Sequence, residues 1–266
     1  MKFAFMTFSC RDSGFDEVLD IAKTYGYDGI ELRTGGDHKH GVEPGADKAI
    51  LQEAKRKAAE KGIAICAVAT PCKLALSEDW QETMQIAKDS IKLAEEIGAP
   101  VIRVFGGKLD GEHQREETFE RLVISLKELA KPAADAGITV CLETHDSWSC
   151  PKMVAKVMQA VNEPSVAVNW DALHTIARGN TKEAESFEIL KPWIKHVHAH
   201  DGILGEGGRY TFKTFGEGVA DYATVIRVLR DCDYTGYVSG EWINWEDSYE
   251  VHLPRELAKL KGFLEA

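Results

Sequence analysis

Short β-rich runs alternate with longer amphipathic stretches along the whole chain. The apolar runs predict strands over Lys2–Phe8, Gly29–Arg33, Ala64–Ala69, Val101–Phe105, Thr139–Glu143, Ala167–Asp171, His196–His200 and Tyr237–Glu241. Between them, helical periodicity covers stretches such as Phe15–Tyr25, Lys48–Lys61, Trp80–Ile97 and Arg115–Ala130. The first opens after Asp12-Ser13, carries Asp16 and Glu17 in its early turns and is followed by Gly26, which is start and stop chemistry for a helix. Gly62, Gly98 and Gly137 end the next three, each a few residues before a strand. Glycine suits the left-handed cap that a Cβ would penalise.

Strand starts recur at about the length of one βα unit, and no linker or composition break divides residues 1–266. The pattern predicts an α/β chain folded as one single-domain (β/α)8 TIM barrel, an architecture that takes about 250 residues. A doubly wound open sheet is the alternative, but no GxGxxG follows the first strand to support a dinucleotide fold.

A parallel strand covered on both faces should read as continuous Val, Ile and Leu. The first halves of these strands mostly do, and their last residues do not. Strand five runs Val140-Cys141-Leu142-Glu143, strand six Val168-Asn169-Trp170-Asp171, strand seven His196-Val197-His198-Ala199-His200, and strand eight Val238-Ser239-Gly240-Glu241. Four neighbouring strands thus carry an ionisable group at or near the end where TIM barrels build active sites. Side chains alternate along a strand, so Cys141, Glu143 and His145 share one face, as do His196, His198 and His200. If that face is the lumen, Glu143, Asp171, His198 and Glu241 converge at its mouth.

Three carboxylates held together repel one another and lose hydration, unless some are protonated or a cation neutralises them. With one imidazole they make a set for one divalent metal ion, and the oxygen-rich donors favour Mn2+ or Mg2+ over Co2+ or Zn2+. A lone Glu at a strand end is ordinarily just solvated. Four on adjacent strands are what point to a site.

Further candidates surround that set. His145 is expected to meet substrate, with a structural role as the alternative. Glu31, Arg33 and Arg103 lie on strands two and four, where they either hold substrate hydroxyls or form an interior ion-pair cluster. His200 and Asp201 are placed to orient the site, since a ligating imidazole usually has a partner on its other nitrogen. His196 lies one layer deeper and reads as a satisfied interior residue. Trp148, Trp242 and Trp245 follow barrel strands, where an aromatic wall could stack on a ring, although packing explains each of them as well. His38 and His40 read as part of a solvated loop or lid.

Composition narrows the partners. The net charge is −11 with no long Lys/Arg run, which argues against a nucleic-acid binder. No stretch approaches the roughly 18 apolar residues of a membrane span. The six cysteines show no CxxC pair and the N-terminal segment is unlike a signal peptide, so reduced thiols in a cytoplasmic protein are expected. A homo-oligomer is left open.

The chain also resembles the xylose isomerase-like barrel superfamily, in its sugar phosphate isomerase/epimerase branch. The likeness rests on Tyr27-Asp28-Gly29-Ile30-Glu31, Leu142-Glu143-Thr144-His145, Asp171-Ala172-Leu173-His174, His196-Val197-His198-Ala199-His200-Asp201, Phe215-Gly216-Glu217-Gly218 and Gly236-Tyr237-Val238-Ser239-Gly240-Glu241. In the ketose 3-epimerases of that superfamily a Glu, an Asp, the second His of an H-x-H and a last Glu bind one metal. Carried over, these are Glu143, Asp171, His198 and Glu241. The same resemblance implies that Glu143 and Glu241 are the acid–base pair and that His174 lies beside the substrate. Those enzymes follow the H-x-H with Gly-Glu and soon an Arg that holds substrate, where this chain has His200-Asp201-Gly202-Ile203.

The implied substrate is a sugar or polyol. A metal there acidifies the C–H beside a carbonyl, and two flanking carboxylates move the proton through an enediolate. Return to the opposite face is epimerisation, return to the neighbouring carbon is isomerisation, and loss of a β-hydroxyl is dehydration. The main rival is therefore a lyase resembling the inosose dehydratases. An AP endonuclease on this barrel would need further His and Glu ligands and a basic DNA face, which His38 and His40 do not clearly supply. A non-catalytic sugar sensor has no need of paired carboxylates.

Overall fold

All eight expected barrel strands form, and two more appear. They are β1 (Lys2–Met6), β2 (Gly29–Arg33), β3 (Ala64–Lys73), β4 (Val101–Phe105), β5 (Thr139–Glu143), β6 (Val166–Asp171), β7 (Ile194–Ala199), the pair β8 (Asp201–Leu204) and β9 (Tyr210–Lys213), and β10 (Tyr237–Gly240). The computed structural model describes residues 1–76, 78–109, 115–205, 209–243 and 245–266. The barrel closes in the order β1-β10-β7-β6-β5-β4-β3-β2, every pair parallel. β8 and β9 form a separate antiparallel hairpin after β7. This is a single-domain TIM barrel.

The helices are α1 (Phe15–Tyr25), α2 (Lys48–Lys61), α3 (Trp80–Ile97), α4 (Arg115–Ala136), α5 (Pro151–Val161), α6 (Ala172–Ala177), α7 (Glu183–Leu190), α8 (Tyr222–Asp231) and α9 (Tyr249–Glu265). Among the described residues, none is long and apolar enough to cross a membrane. α1 shows how the local signals act. It buries Val18, Leu19, Ile21 and Ala22, and Gly26 at φ 81° turns its N–H back onto the carbonyls of Ala22 and Lys23, satisfying helix-end acceptors.

Four expectations shift. β1 ends at Met6, where Thr7–Cys10 tightens into a 3-10 turn. β7 begins two residues before the expected strand and ends one before it. α4 runs through Pro132 to Ala136 instead of stopping at Ala130. Proline removes a helix hydrogen bond, but Leu126, Leu129, Ala130 and Ala133 keep one face buried across it. His40 is 6% exposed: its Nδ1 accepts the Val42 N–H at 3.1 Å and its Nε2 donates to the Arg33 carbonyl at 2.9 Å. It therefore pins the loop after β2 and is not solvated.

The apolar interior has two compartments. The larger lies between barrel and helices, and includes Phe5, Leu19, Ile30, Val140, Trp170 and Leu260. The smaller fills the lower lumen with Ala4, Cys66, Ala67, Val101, Cys141 and Ala167. Small side chains fit where eight strands converge, leaving the upper lumen to polar groups.

Candidate metal centre

Strand parity builds the site. Arg103 pairs in register with Cys141, Cys141 with Ala167, Glu143 with Asn169, and Asp171 with His198. Residues two apart along each strand therefore share the lumen face. The ends are braced: the Thr144 hydroxyl accepts the Asp171 N–H at 2.8 Å and donates to the Asp171 carbonyl at 3.1 Å. Asp171 then caps α6, its Oδ1 accepting the His174 N–H at 3.0 Å, while Oδ2 faces the lumen 2.8 Å from His200 Nε2.

Glu143, Asp171, His198 and Glu241 come together, each offering a donor atom within 4.8 Å of the others. Glu143, Asp171 and His198 are fully buried and Glu241 is 4% exposed. His198 Nδ1 stands 3.2 Å from Glu143 Oε1 and 3.1 Å from Glu241 Oε2. An ion bound at roughly 2.1 Å places neighbouring donors about 3 Å apart, so these spacings suit one. Glu143 Oε2 and Asp171 Oδ2 are buried without a hydrogen-bond partner, the kind of acceptor a cation satisfies. The residues fit a divalent ion.

Charge compensation explains how four buried carboxylates coexist here. The Arg103 Nε lies 3.1 Å from Glu143 Oε2, without hydrogen-bond alignment. Burial works against the charge on His198, but Glu31, Glu143 and Glu241 outweigh it and hold its pKa well above the ordinary value. Burial likewise opposes ionisation of Glu241, yet His198, His200 and Arg103 pull it down to about 2. For His200, Asp171 Oδ2 at 2.8 Å overcomes burial and lifts the pKa to about 9. His174 goes the other way, pushed down to about 3 mainly by burial.

The remaining candidates sort clearly. His145, His174 and His200 form a continuous edge beside the cluster, with ring centroids 4.1 Å and 5.7 Å apart. Arg103 is an interior partner of Glu143, and one of its nitrogens, Nη2, is buried without a partner. Glu31 is also interior: it meets His196 Nε2 at 2.9 Å and His198 Nε2 at 3.0 Å. The ion-pair reading of Glu31 and Arg103 holds over direct hydroxyl binding. Arg33 is tied to the carbonyls of Thr34 and Ala69.

Two expectations are corrected. Trp242 is 1% exposed, and its ring meets Phe215, Trp245 and His252, none of them in the cluster. It is packing, because Gly240 leaves no Cβ in its way. The rings that reach the site are Phe105 on His145, Tyr210 on His174 and Phe212 on His200, at 4.9, 5.0 and 5.2 Å. The sequence reading missed Tyr210 and Phe212, although Tyr-x-Phe is a short alternating strand signal. Asp201 makes no hydrogen bond to the four clustered residues. Its carboxylate accepts the N–H groups of Gly202, Gly216, Gly218 and Ala220, fixing the loop that follows the hairpin. A Cβ on Gly218 would collide with it.

A cleft of about 690 Å3 opens beside the hairpin, lined by Tyr210, Phe212, Trp245 and Arg255 among others. None of the four cluster residues lines it, so donor chemistry locates the site here and cavity size does not.

With this geometry in place, comparison with known proteins fixes the family. The family model described as "Xylose isomerase-like TIM barrel" matches residues 19–259. The chain belongs to that family. Among its relatives, a 3-dehydroshikimate dehydratase of Bacillus anthracis is 24% identical, over 91% of each chain. The L-ribulose-5-phosphate 3-epimerase UlaE of Salmonella typhi is also 24% identical, over 94% of this chain and 88% of that one. The solved structure of an L-ribulose 3-epimerase superposes with a TM-score of 0.81 at 16% identity, over 99% of this chain and 94% of that one. At that identity the structural likeness carries the fold alone. The named relatives are enzymes of two reaction classes.

Proposed function

We propose that the chain is a divalent-metal-dependent isomerase or epimerase that moves a proton beside the carbonyl of a ketose or related polyol. One observation carries this reading: the Glu143 and Glu241 carboxylates both stand within 3.2 Å of the same imidazole nitrogen. Two carboxylates around one centre serve as ligands and as an acid–base pair. When bound, the ion polarises the carbonyl and makes the neighbouring C–H acidic.

Glu143 then takes the proton and Glu241 returns one from the other side, while Asp171 and His198 act as ligands. Arg103 packs its guanidinium against Glu143 Oε2. His174 is held neutral by burial, so its ring can both donate to and accept from a sugar hydroxyl. His145 and His200 extend that row, and Tyr210 and Phe212 exclude water above it.

A second reading, dehydration, has an observation of its own. Burial opposes a charge on His145, but Asp146, 3.2 Å away, and Glu143 outweigh it and raise its pKa. A protonated imidazole there can hand its proton to a departing β-hydroxyl. The likeness to a 3-dehydroshikimate dehydratase supports keeping this reading beside the first.

The deciding experiment incubates Mg2+-loaded enzyme with ketoses, an inosose and 3-dehydroshikimate in D2O and follows them by NMR. Deuterium at one carbon with an epimeric or isomeric product supports the first reading, and an alkene or aromatic product supports the second. No exchange in any substrate, with no ion retained, removes both.

A further inference from the structure

A second buried layer lies under His198. An imidazole offers two nitrogens, and His198 uses both: Nδ1 faces Glu143 and Glu241, while Nε2 lies 3.0 and 3.1 Å from the two oxygens of Glu31. Glu31 comes from β2, three strands round the barrel from β7, and is fully buried. His196, two residues before His198 on the same strand, brings its own Nε2 to 2.9 Å from Glu31 Oε2. The two rings are nearly perpendicular, at 79°, so they approach the carboxylate from different directions.

That arrangement leaves His198 little choice of tautomer. A carboxylate accepts and cannot donate, so a proton beside Glu31 stays on Nε2, and Nδ1, facing Glu143 and Glu241, is the nitrogen that would give up its proton and present a lone pair to an ion. His196 holds Glu31 against rotation by occupying one of its oxygens. Carboxylate partners of this kind fix ring orientation and raise the basicity of a ligating imidazole.

We propose that Glu31, anchored by His196, is the positioning residue that sets the affinity of the four-residue site for its ion. This rests on the metal reading above. The same three side chains could instead hold a second ion, since their donor atoms also lie within 4.8 Å of one another. The hydrogen-bonding assignment is favoured because both histidines can donate Nε2–H to the carboxylate. It also leaves a closed pocket of only three donors, fewer than the four a structural zinc site needs.

The test uses full-length, metal-stripped protein titrated with Mn2+ by calorimetry. Wild type, Glu31→Gln and His196→Ala are compared, with near-UV circular dichroism confirming that each is folded. Glutamine has the shape of glutamate but must turn its NH2 toward one of the two imidazoles. The expected result is one ion per wild-type chain, affinity about 10- to 100-fold weaker in Glu31→Gln, and a smaller loss in His196→Ala.

A readout independent of affinity is the histidine tautomer, from long-range 1H–15N spectra of Mg2+-loaded protein. His198 should carry its proton on Nε2 in wild type and lose that uniformity in Glu31→Gln. Unchanged affinity and tautomer in Glu31→Gln overturn the inference alone, as does a larger loss in His196→Ala. Two ions in wild type with one lost in Glu31→Gln overturn it in favour of a second metal site. A wild-type chain that takes up no ion removes the metal reading itself.

Discussion

The lower and upper halves of the barrel lumen are made by the same strands and obey opposite rules. β4 contributes Val101 below and Arg103 above, β5 Cys141 below and Glu143 above, and β6 Ala167 below and Asp171 above. A step of two residues in β4 and β5 and of four in β6, with no change of face, separates small apolar packing from buried charge. Below, each side chain gains by leaving water. Above, each carboxylate loses by it and is tolerable only while Arg103, a histidine or an ion balances it. Change in the lower half should therefore be read as stability, and change in the upper half as chemistry.

The strongest way to break that contrast is Glu143→Gln. It keeps the shape and removes the charge that is both proposed ligand and proposed base. Turnover should fall about 10²- to 10⁴-fold, the usual worth of a positioned acid–base group. The thermal midpoint should fall but the chain should stay folded, because Arg103 is left buried beside a neutral side chain. Steady-state kinetics on the substrate found by deuterium exchange, alongside a melting curve, checks both halves of the statement. Retained turnover would mean that the upper half is an ion-pair network only.

The next effect is on pH. His198 in the metal-free protein has a pKa well above 6.5, because Glu31, Glu143 and Glu241 outweigh burial. A pKa raised on folding adds stability that is complete below the unfolded value and is lost as pH rises through the folded one. Metal binding has the opposite demand, since Nδ1 must give up its proton. Affinity should therefore rise about tenfold per pH unit below the folded pKa of His198. Calorimetry in buffers of different ionisation enthalpy should detect about one proton released at pH 7. Binding with no proton release would place the ion away from His198.

How much of this was legible in the sequence follows the same division. The barrel could be read because β-rich runs and glycine-terminated helices repeat locally, as at Gly26 and Gly98. The convergence of Glu143, Asp171, His198 and Glu241 could be read because charge at a strand's end contradicts its apolar beginning. The partner of His198 could not. Glu31 lies 167 residues away along the chain, and only barrel closure brings β2 within reach of β7. Trp242 was misread for a related reason: following a strand end does not fix which way a ring turns, and Gly240 lets this one fold back into the core. The hairpin of Tyr210 and Phe212 escaped because each strand is only four residues long.

The smallest expected effect tests the lower half directly. Cys141 sits two residues before Glu143, fully buried, and packs with Ala4, Cys66, Ala67, Val101 and Ala167. Burial, with the nearby charge of Glu31, pushes its thiol pKa up, so the sulfur stays protonated and serves as a small apolar group. Cys141→Ala removes one heavy atom from that packing and no charge from the site. It should cost about 1 kcal/mol, a melting shift of roughly 2–4 °C for a chain of this size. Ion affinity and turnover should be unchanged. A thermal scan and one metal titration are enough, and the informative failure is a variant that melts normally but binds its ion poorly. That outcome would mean that the apolar plug helps place Glu143, and that the boundary between the two halves is not where the side-chain chemistry changes.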